Sequence, residues 1–355
     1  MLNCEFEDIE IQNKGGNVIR FQNDLQSKFI GTLTKCQFKN ITANGDNNGR
    51  GGSALYAEMK SQSSLTISNN CQFVQCINND GNGGALYIDI SFTPQSKFKI
   101  DNALIKECQA KADTSSSHPT GYGGGIFLTG SGDYDILSNG LDFHGMNISD
   151  NSADKGGFSL YAVMSKLKEW CRSGQLGEYV KGNYTDGESN KNELQGIPVS
   201  STIFNSYSSN EIYAQQKYLE AYWGPPLNDI WHIQSGTIQL ITAEDQYYCG
   251  NSDEPCGSIE YALKQISIWK GGSETSDISE KKIGINKEGF ELTNPIEFNS
   301  NQSKLTIPII YIEGINSILE LNTVTFSEIN LSPTDEAKGI IHININDQQI
   351  NMLNC

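Results

Sequence analysis

Leu86, Ile88 and Ile90 alternate with Tyr87 and Asp89 directly after the pair Gly83-Gly84, and similar text returns along the first half of the chain. It reads Gly51-Gly52-Ser53-Ala54-Leu55-Tyr56, Gly124-Gly125-Ile126-Phe127 and Gly156-Gly157-Phe158-Ser159-Leu160-Tyr161, with a weaker copy at Gly15-Gly16-Asn17-Val18-Ile19. A period of two sends alternate side chains to opposite faces of a strand. The inward set is then Ile19 and Phe21; Leu55, Ala57 and Met59; Leu86, Ile88 and Ile90; Ile126 and Leu128; Leu160, Ala162 and Met164. Gly339-Ile340-Ile341-His342-Ile343 fits the same template. The copies begin 32 to 41 residues apart, and self-similarity at that period marks a solenoid. The glycines suit corners where the backbone turns with positive φ or passes close to a neighbouring rung.

A second strand column carries Phe6, Phe38, Phe73, Phe143 and Phe326, with Ile105 filling the gap after Phe73. Two residues before most of these stands a small apolar residue: Cys4, Cys36, Cys71, Leu141 and Val324. A thinner third column comprises 64–67, 96–100, 133–137 and 303–307. Three short strands per unit, joined by Asn/Asp/Gly/Ser turns, describe one coil of a parallel β-helix. Coils stack about 4.8 Å apart, so like residues lie above like. The fold expectation is all-β, a parallel β-helix with short capping helices.

Residues 165–235 break the pattern. A short helix is expected over 165–171 and a polar surface excursion over 172–198. One last irregular rung is expected from Ser201-Thr202-Ile203-Phe204-Asn205 and Glu211-Ile212-Tyr213, then a helix-like stretch over 215–222 that Gly224-Pro225-Pro226 stops. The division is 1–164 as β-helix coils, 165–235 as cap or insert and linker, and 236–355 as an N-terminal cap helix with the first coils of a second β-helix. Ser258 is the N-cap of that helix, whose apolar face holds Ile259, Ala262, Leu263 and Ile266.

The Gly-Gly-Ala-Leu-Tyr strands, with Asn147-Ile148-Ser149-Asp150-Asn151-Ser152-Ala153-Asp154-Lys155-Gly156-Gly157 leading into one of them, resemble the repeats of chlamydial polymorphic outer membrane proteins and of large protist surface proteins. The resemblance covers 1–164 and extends to 280–355. It implies a pectin-lyase-like β-helix, right-handed, at a cell surface. The segment Cys249 to Leu263, with Pro255-Cys256 ahead of its helix, resembles the N-terminal plug of many β-helix proteins.

Composition narrows the partners. The net charge of −17 and pI near 4.6 exclude nucleic acid and anionic membranes. Arginine occurs only at Arg20, Arg50 and Arg172, so bidentate phosphate or carboxylate clamps are scarce. No apolar stretch has the length of a membrane span. Nine cysteines and five sequons, at Asn40, Asn147, Asn183, Asn301 and Asn330, lean towards an extracellular or cell-surface location. The start has no secretion signal, so a piece of a longer protein is expected. Met1-Leu2-Asn3-Cys4 returns as Met352-Leu353-Asn354-Cys355, which suggests one period of a tandem array.

Cys249 and Cys256 are the leading disulfide candidates. Cys4 and Cys36 occupy one position on consecutive coils, where a disulfide and a pair of buried thiols are both open readings. Tyr56, Tyr87, Phe127 and Tyr161 form an outward aromatic ladder, either a platform for sugars or a partner protein or a column self-stacked under a loop or beneath the cap. The second of these readings is favoured. Asp133 and Asp135 share an outward face without the setting of a glycosidase pair. His118, His144, His232 and His342 are scattered, without metal-ligand spacing. No cofactor is expected; calcium in turn loops around Asp46 or Asp80 is the alternative the acidic balance leaves open.

The resulting expectation is a non-enzymatic, secreted or cell-surface repeat protein acting as an adhesive or structural stalk. The alternative is a carbohydrate-active β-helix, sugar-binding or lyase-like. Expected partners are carbohydrate or surface proteins and further copies of the same period.

Overall fold

The computed structural model describes residues 1–223, apart from positions 25, 94, 133, 136, 137 and 175, and beyond them a set of strands and short runs starting at Ile230. The chain divides into two compact units, Met1–Gly224 and Pro225–Cys355.

The first unit is a parallel β-solenoid of six coils. Its first sheet stacks Ile19–Gln22, Leu55–Met59, Leu86–Ser91, Ile126–Ser131, Leu160–Val163 and Leu194–Ile197 in parallel, and Lys217–Tyr218 closes it antiparallel. The register is that of the hydrophobic pattern: Ile19, Leu55, Leu86, Ile126, Leu160 and Leu194 are successive partners. Leu55, Leu86, Ile126 and Leu160 are all 0% exposed, so the interior is one continuous apolar column. The recurring turn depends less on the Gly-Gly pair than on a single glycine three residues before Leu55, Leu86, Ile126 and Leu160. Gly52, Gly83, Gly123 and Gly157 have φ of 76°, 74°, 70° and 64°. Each position lies in the left-handed region that side chains avoid.

The second sheet stacks Glu5–Lys14, Gln37–Asn44, Cys71–Asn79, Ala103–Lys106 with Gln109–Ala110, and Met146–Ser149 with Ser152–Ala153. Phe6, Phe38 and Phe73 stack at 5.0 and 4.9 Å between ring centroids, and Ile105 follows in register. The next member is Ile148, not Phe143 as spacing had suggested; Met146 takes the place expected for Leu141. A residue with φ near 50–56° recurs in every coil of this sheet: Asp8, Asn40, Gln75, Glu107 and Asp150. It bends each long strand at the same point.

The third sheet joins Ile30–Thr34, Ser64–Ser68, Lys97–Ile100 and Leu141–Asp142. Leu141 therefore partners Phe98, so 141–142 continue this column; positions 133, 136 and 137 of the strand expected over 133–137 lie outside the described residues. Phe143 packs edge-on against Phe98 at 5.4 Å and Trp170 at 5.2 Å.

The two ends of this solenoid differ. At the far end, α1 (Leu167–Cys171), α2 (Ser201–Ser206), α3 (Ser209–Gln215) and α4 (Glu220–Trp223) cover the last coils. Trp170, Trp223 and Leu219 are 0% exposed there. Asn183 finishes the second sheet by side chain: it accepts from the Ile148 N–H at 2.8 Å and donates to the Ile148 carbonyl at 3.2 Å, standing in for a further strand. The segments expected as a last irregular rung are α2 and α3 instead, and the last regular rung, Leu194–Ile197, lies inside the expected surface excursion. At the near end, Phe6, Ile9 and Ile11 are half-buried, whereas Phe38 and Ile41 one coil in are 0% exposed.

In the second unit, Ile230–Ile233, Lys282–Ile285, Ile310–Glu313 and Ile341–Asn344 form one parallel sheet. Phe290–Leu292, Leu319–Asn322 and Ile350–Leu353 form another. Ile296–Asn299 pairs with Val324–Ser327, setting Phe298 opposite Phe326. Lys304–Leu305 pairs with Asn330–Leu331 as a separate two-stranded sheet; the rest of the strand expected over 303–307 lies outside the described residues. Cys249 and Cys256 are joined by a disulfide of 2.03 Å. Ser258, Ile259 and Ile266 of the expected cap helix lie outside the described residues.

Candidate functional site

The outward column of the first sheet is in register on four consecutive coils. Tyr56, Tyr87, Phe127 and Tyr161 are partners in turn, with ring centroids 5.3, 5.3 and 6.1 Å apart. The ladder exists, but it is not a surface: the four residues are 1%, 7%, 3% and 0% exposed. The Arg20 guanidinium lies 3.9 Å over the Tyr56 ring. Tyr122 approaches Tyr161 at 4.7 Å, and Phe204 of α2 meets Phe127 and Tyr161 at 5.8 and 5.9 Å. Ile212 of α3 joins the same cluster. The Tyr161 hydroxyl donates to Gln216 Oε1 at 3.1 Å. Burial pushes the Tyr56 phenol up to about 12 and holds Tyr87 and Tyr161 well above the ordinary tyrosine value, so these rings are neutral packing groups. A second core thus lies outside the coil wall, beneath the helices.

Two residues further along each strand runs a polar column that the sequence reading passed over. Glu58 partners Asp89, and Asp89 partners Thr129. The Glu58 side chain is 5% exposed and is ion-paired with Lys60; the Tyr56 hydroxyl reaches its Oε2 at 3.4 Å. The Asp89 carboxyl is raised to about 6, by burial first and by the Glu58 carboxylate second. The Thr129 hydroxyl is buried with no hydrogen-bond partner. The signal was present in the text, since Glu58 and Asp89 each follow a ladder tyrosine by two residues. Carboxylates one coil apart compete for charge and can hold one proton between them.

An open hollow of about 500 Å³ lies where the turn at 153–158 meets the end of α3. Asp154, Asn192, Gln195 and Gln216 line it, with Tyr213 and Tyr218 at its side. These tyrosines are 78% and 43% exposed. Exposed rings beside amides and a carboxylate are the surface chemistry that holds sugars.

The remaining candidates fall as follows. Cys4 and Cys36 lie on consecutive coils as free thiols; Cys71 and Cys76 are free thiols of one strand on the coil after them, and Cys108 is a free thiol on the next. The Cys36 N–H donates to Cys71 Sγ at 3.4 Å. The neighbouring Cys108 thiol and burial raise Cys76, and burial raises Cys71 and Cys171, which keeps these thiols protonated and unreactive. Asn40, Asn147 and Asn183 are exposed. Asn40 donates to Asp8 Oδ1 at 2.6 Å, and the Asn183 amide is committed to Ile148. Asn301 lies outside the described residues, and Asn330 begins a short strand. Asp46 accepts from the Asn48 and Arg50 N–H groups at 2.9 Å each and from Arg50 Nε at 2.8 Å, which occupies it within its own loop. His144 bonds Asp142. Among the described residues no three His, Cys, Asp or Glu side chains gather as a metal site, and no helix is long and apolar enough to cross a membrane. Asp133 lies outside the described residues.

The fold and these surfaces define a parallel β-solenoid with a helical cap. In comparisons with known proteins the chain matches no family model, no curated protein and no solved structure.

Proposed function

We propose that this chain is a non-enzymatic repeat protein, secreted or displayed at a cell surface, whose solenoid serves as a rigid stalk or spacer. The observation that carries this reading is the unbroken register of six coils over an interior column that is buried from Leu55 to Leu194. Such a wall transmits force along its axis through stacked hydrogen bonds and has no hinge between coils. The Cys249–Cys256 disulfide and the exposed sequons support an oxidising compartment. The resemblance of the Gly-Gly strands to surface-protein repeats supports the same reading. Electron microscopy of a two-period chain tests it: particles several times longer than wide are expected, and a compact globule overturns it.

A second reading is carbohydrate binding, and the hollow beside Tyr213 and Tyr218 favours it. Tyr87 is buried, so the exposed pair replaces the ladder as the sugar platform. On a polysaccharide array, a Tyr213→Ala/Tyr218→Ala variant is expected to lose about tenfold or more of any binding the parent shows. Binding that is unchanged in the variant removes this reading.

A further inference from the structure

The outward ladder of the first sheet does not stop at Tyr161. The next residue in register is Gln195, so on the last coil an amide takes the place of a ring. Gln195 is 5% exposed, and on its other side it partners Tyr218 of the closing antiparallel strand. A second amide and a second ring come from the end of α3, where Tyr213 and Gln216 stand three residues apart and share a face. All four line the hollow at 153–158. A methyl group placed on Gly156 would lie 3.0 Å from Gln195 Oε1 and 3.1 Å from Gln216 Oε1, so the two amides converge on this glycine. Both amide oxygens are already taken. Gln195 Oε1 accepts from the Gly157 N–H at 2.7 Å, and Gln216 Oε1 accepts from the Tyr161 hydroxyl at 3.1 Å. Neither Nε2 group has a hydrogen-bond partner among the described residues, and neither is sealed from solvent. At this point the hollow therefore presents donors only. Asp154 complements them: its Oδ2 accepts from the Ala112 N–H at 2.9 Å, and its Oδ1 is left as an acceptor.

We propose that this hollow binds a neutral sugar bearing an acetamido group, whose carbonyl accepts from the Gln195 and Gln216 Nε2 groups while Tyr213 and Tyr218 cover the apolar face of the ring. The discrimination lies in the donors. A sugar hydroxyl that takes both bonds still has its own O–H to satisfy, whereas a carbonyl oxygen takes both and brings no hydrogen. The acetamido N–H is the donor that Asp154 Oδ1 lacks. Lys155 balances Asp154 on the lining, and the net charge of −17 disfavours an acidic sugar. A volume of about 500 Å³ lies in the ordinary range of small-ligand pockets. This inference names the ligand class of the carbohydrate-binding reading and rests on that reading.

The test titrates the full chain with N,N′-diacetylchitobiose, cellobiose and glucuronic acid, and reads the affinities from NMR shifts. The parent is expected to bind diacetylchitobiose about tenfold or more tightly than cellobiose. Gln195→Glu and Gln216→Glu each keep an acceptor for Gly157 or Tyr161 and replace the donating amide by a carboxylate oxygen. Each is expected to reduce the preference to about twofold or less, with cellobiose bound much as by the parent. Gln216 lies at the end of α3, outside the coil wall, so its variant decides the matter even where Gln195→Glu fails to fold. A preference that survives both glutamine variants overturns the proposal, as does tighter binding of glucuronic acid than of either disaccharide. Equal affinity for the two disaccharides, lost from both in Tyr213→Ala/Tyr218→Ala, overturns the acetamido inference and leaves the sugar reading standing. Absence of binding to all three sugars overturns the inference, and the sugar reading falls with it only if the polysaccharide array is also blank.

Discussion

At the scale of the residue, Asp89 is the group whose chemistry changes near neutral pH. Glu58 and Thr129 flank it on the neighbouring coils, and the buried Tyr87 precedes it by two residues in its own strand. Lys60 and Arg50 are the cations that act on it. Its folded pKa of about 6 lies above the ordinary aspartate value of 3.8. Between these values the folded chain binds more protons than the unfolded one. This contribution to stability is therefore complete below pH 4 and is lost as pH rises through 6. The full shift corresponds to ~3 kcal/mol, which partial exposure reduces to ~2 kcal/mol. Asp89→Asn removes the charge and keeps the shape. It is expected to stabilise the first unit at pH 7.5 by about 1–2 kcal/mol and to change little at pH 4, as read from thermal melts by circular dichroism. A variant no more stable than its parent at pH 7.5 contradicts this account. Residue-level legibility was partial for a physical reason. Alternation identified Leu55, Leu86 and Leu160 as inward because a coil has an inside. It could not show that Phe127 and Tyr161 are also buried, since their cover comes from a residue as remote as Phe204.

At the scale of the element, α2 and α3 have six and seven residues, too short to persist alone. Capping and the aromatic column hold them. Ser200 caps α2, and Ser208 with Glu211 forms a capping box on α3. Phe204 and Ile212 then enter the tyrosine cluster. Phe204→Ala is expected to cost about 3–4 kcal/mol locally. Amide exchange over 199–216 should accelerate sharply while the rungs at 55–59 and 86–91 keep their protection. Uniform loss of protection along the solenoid would show instead that the helices and coils unfold together. The same elements explain where sequence reading failed. Ile203-Phe204 and Ile212 are short apolar runs that fit a strand or a helix equally well. The discriminating signal was Ser208-x-x-Glu211, a helix start. Leu194–Ile197 was hidden because that rung lacks the glycine of the others. Phe143 was misplaced because coil lengths vary, so aromatic type alone does not track position.

At the scale of the whole molecule, the period of the text and the alternation within it were sufficient for the architecture. The four rungs that open at Leu55, Leu86, Ile126 and Leu160 repeat the same local choice of glycine corner, inward Leu or Ile and outward aromatic, and agreement across levels is what specifies a fold. The caps were less legible because each is built once, without a repeat to reveal it. The corner glycines carry a last consequence, because Gly52, Gly83, Gly123 and Gly157 share one left-handed turn on four successive coils. Harm from a side chain placed at one of them should stay local, straining a single rung while its neighbours keep turns of their own.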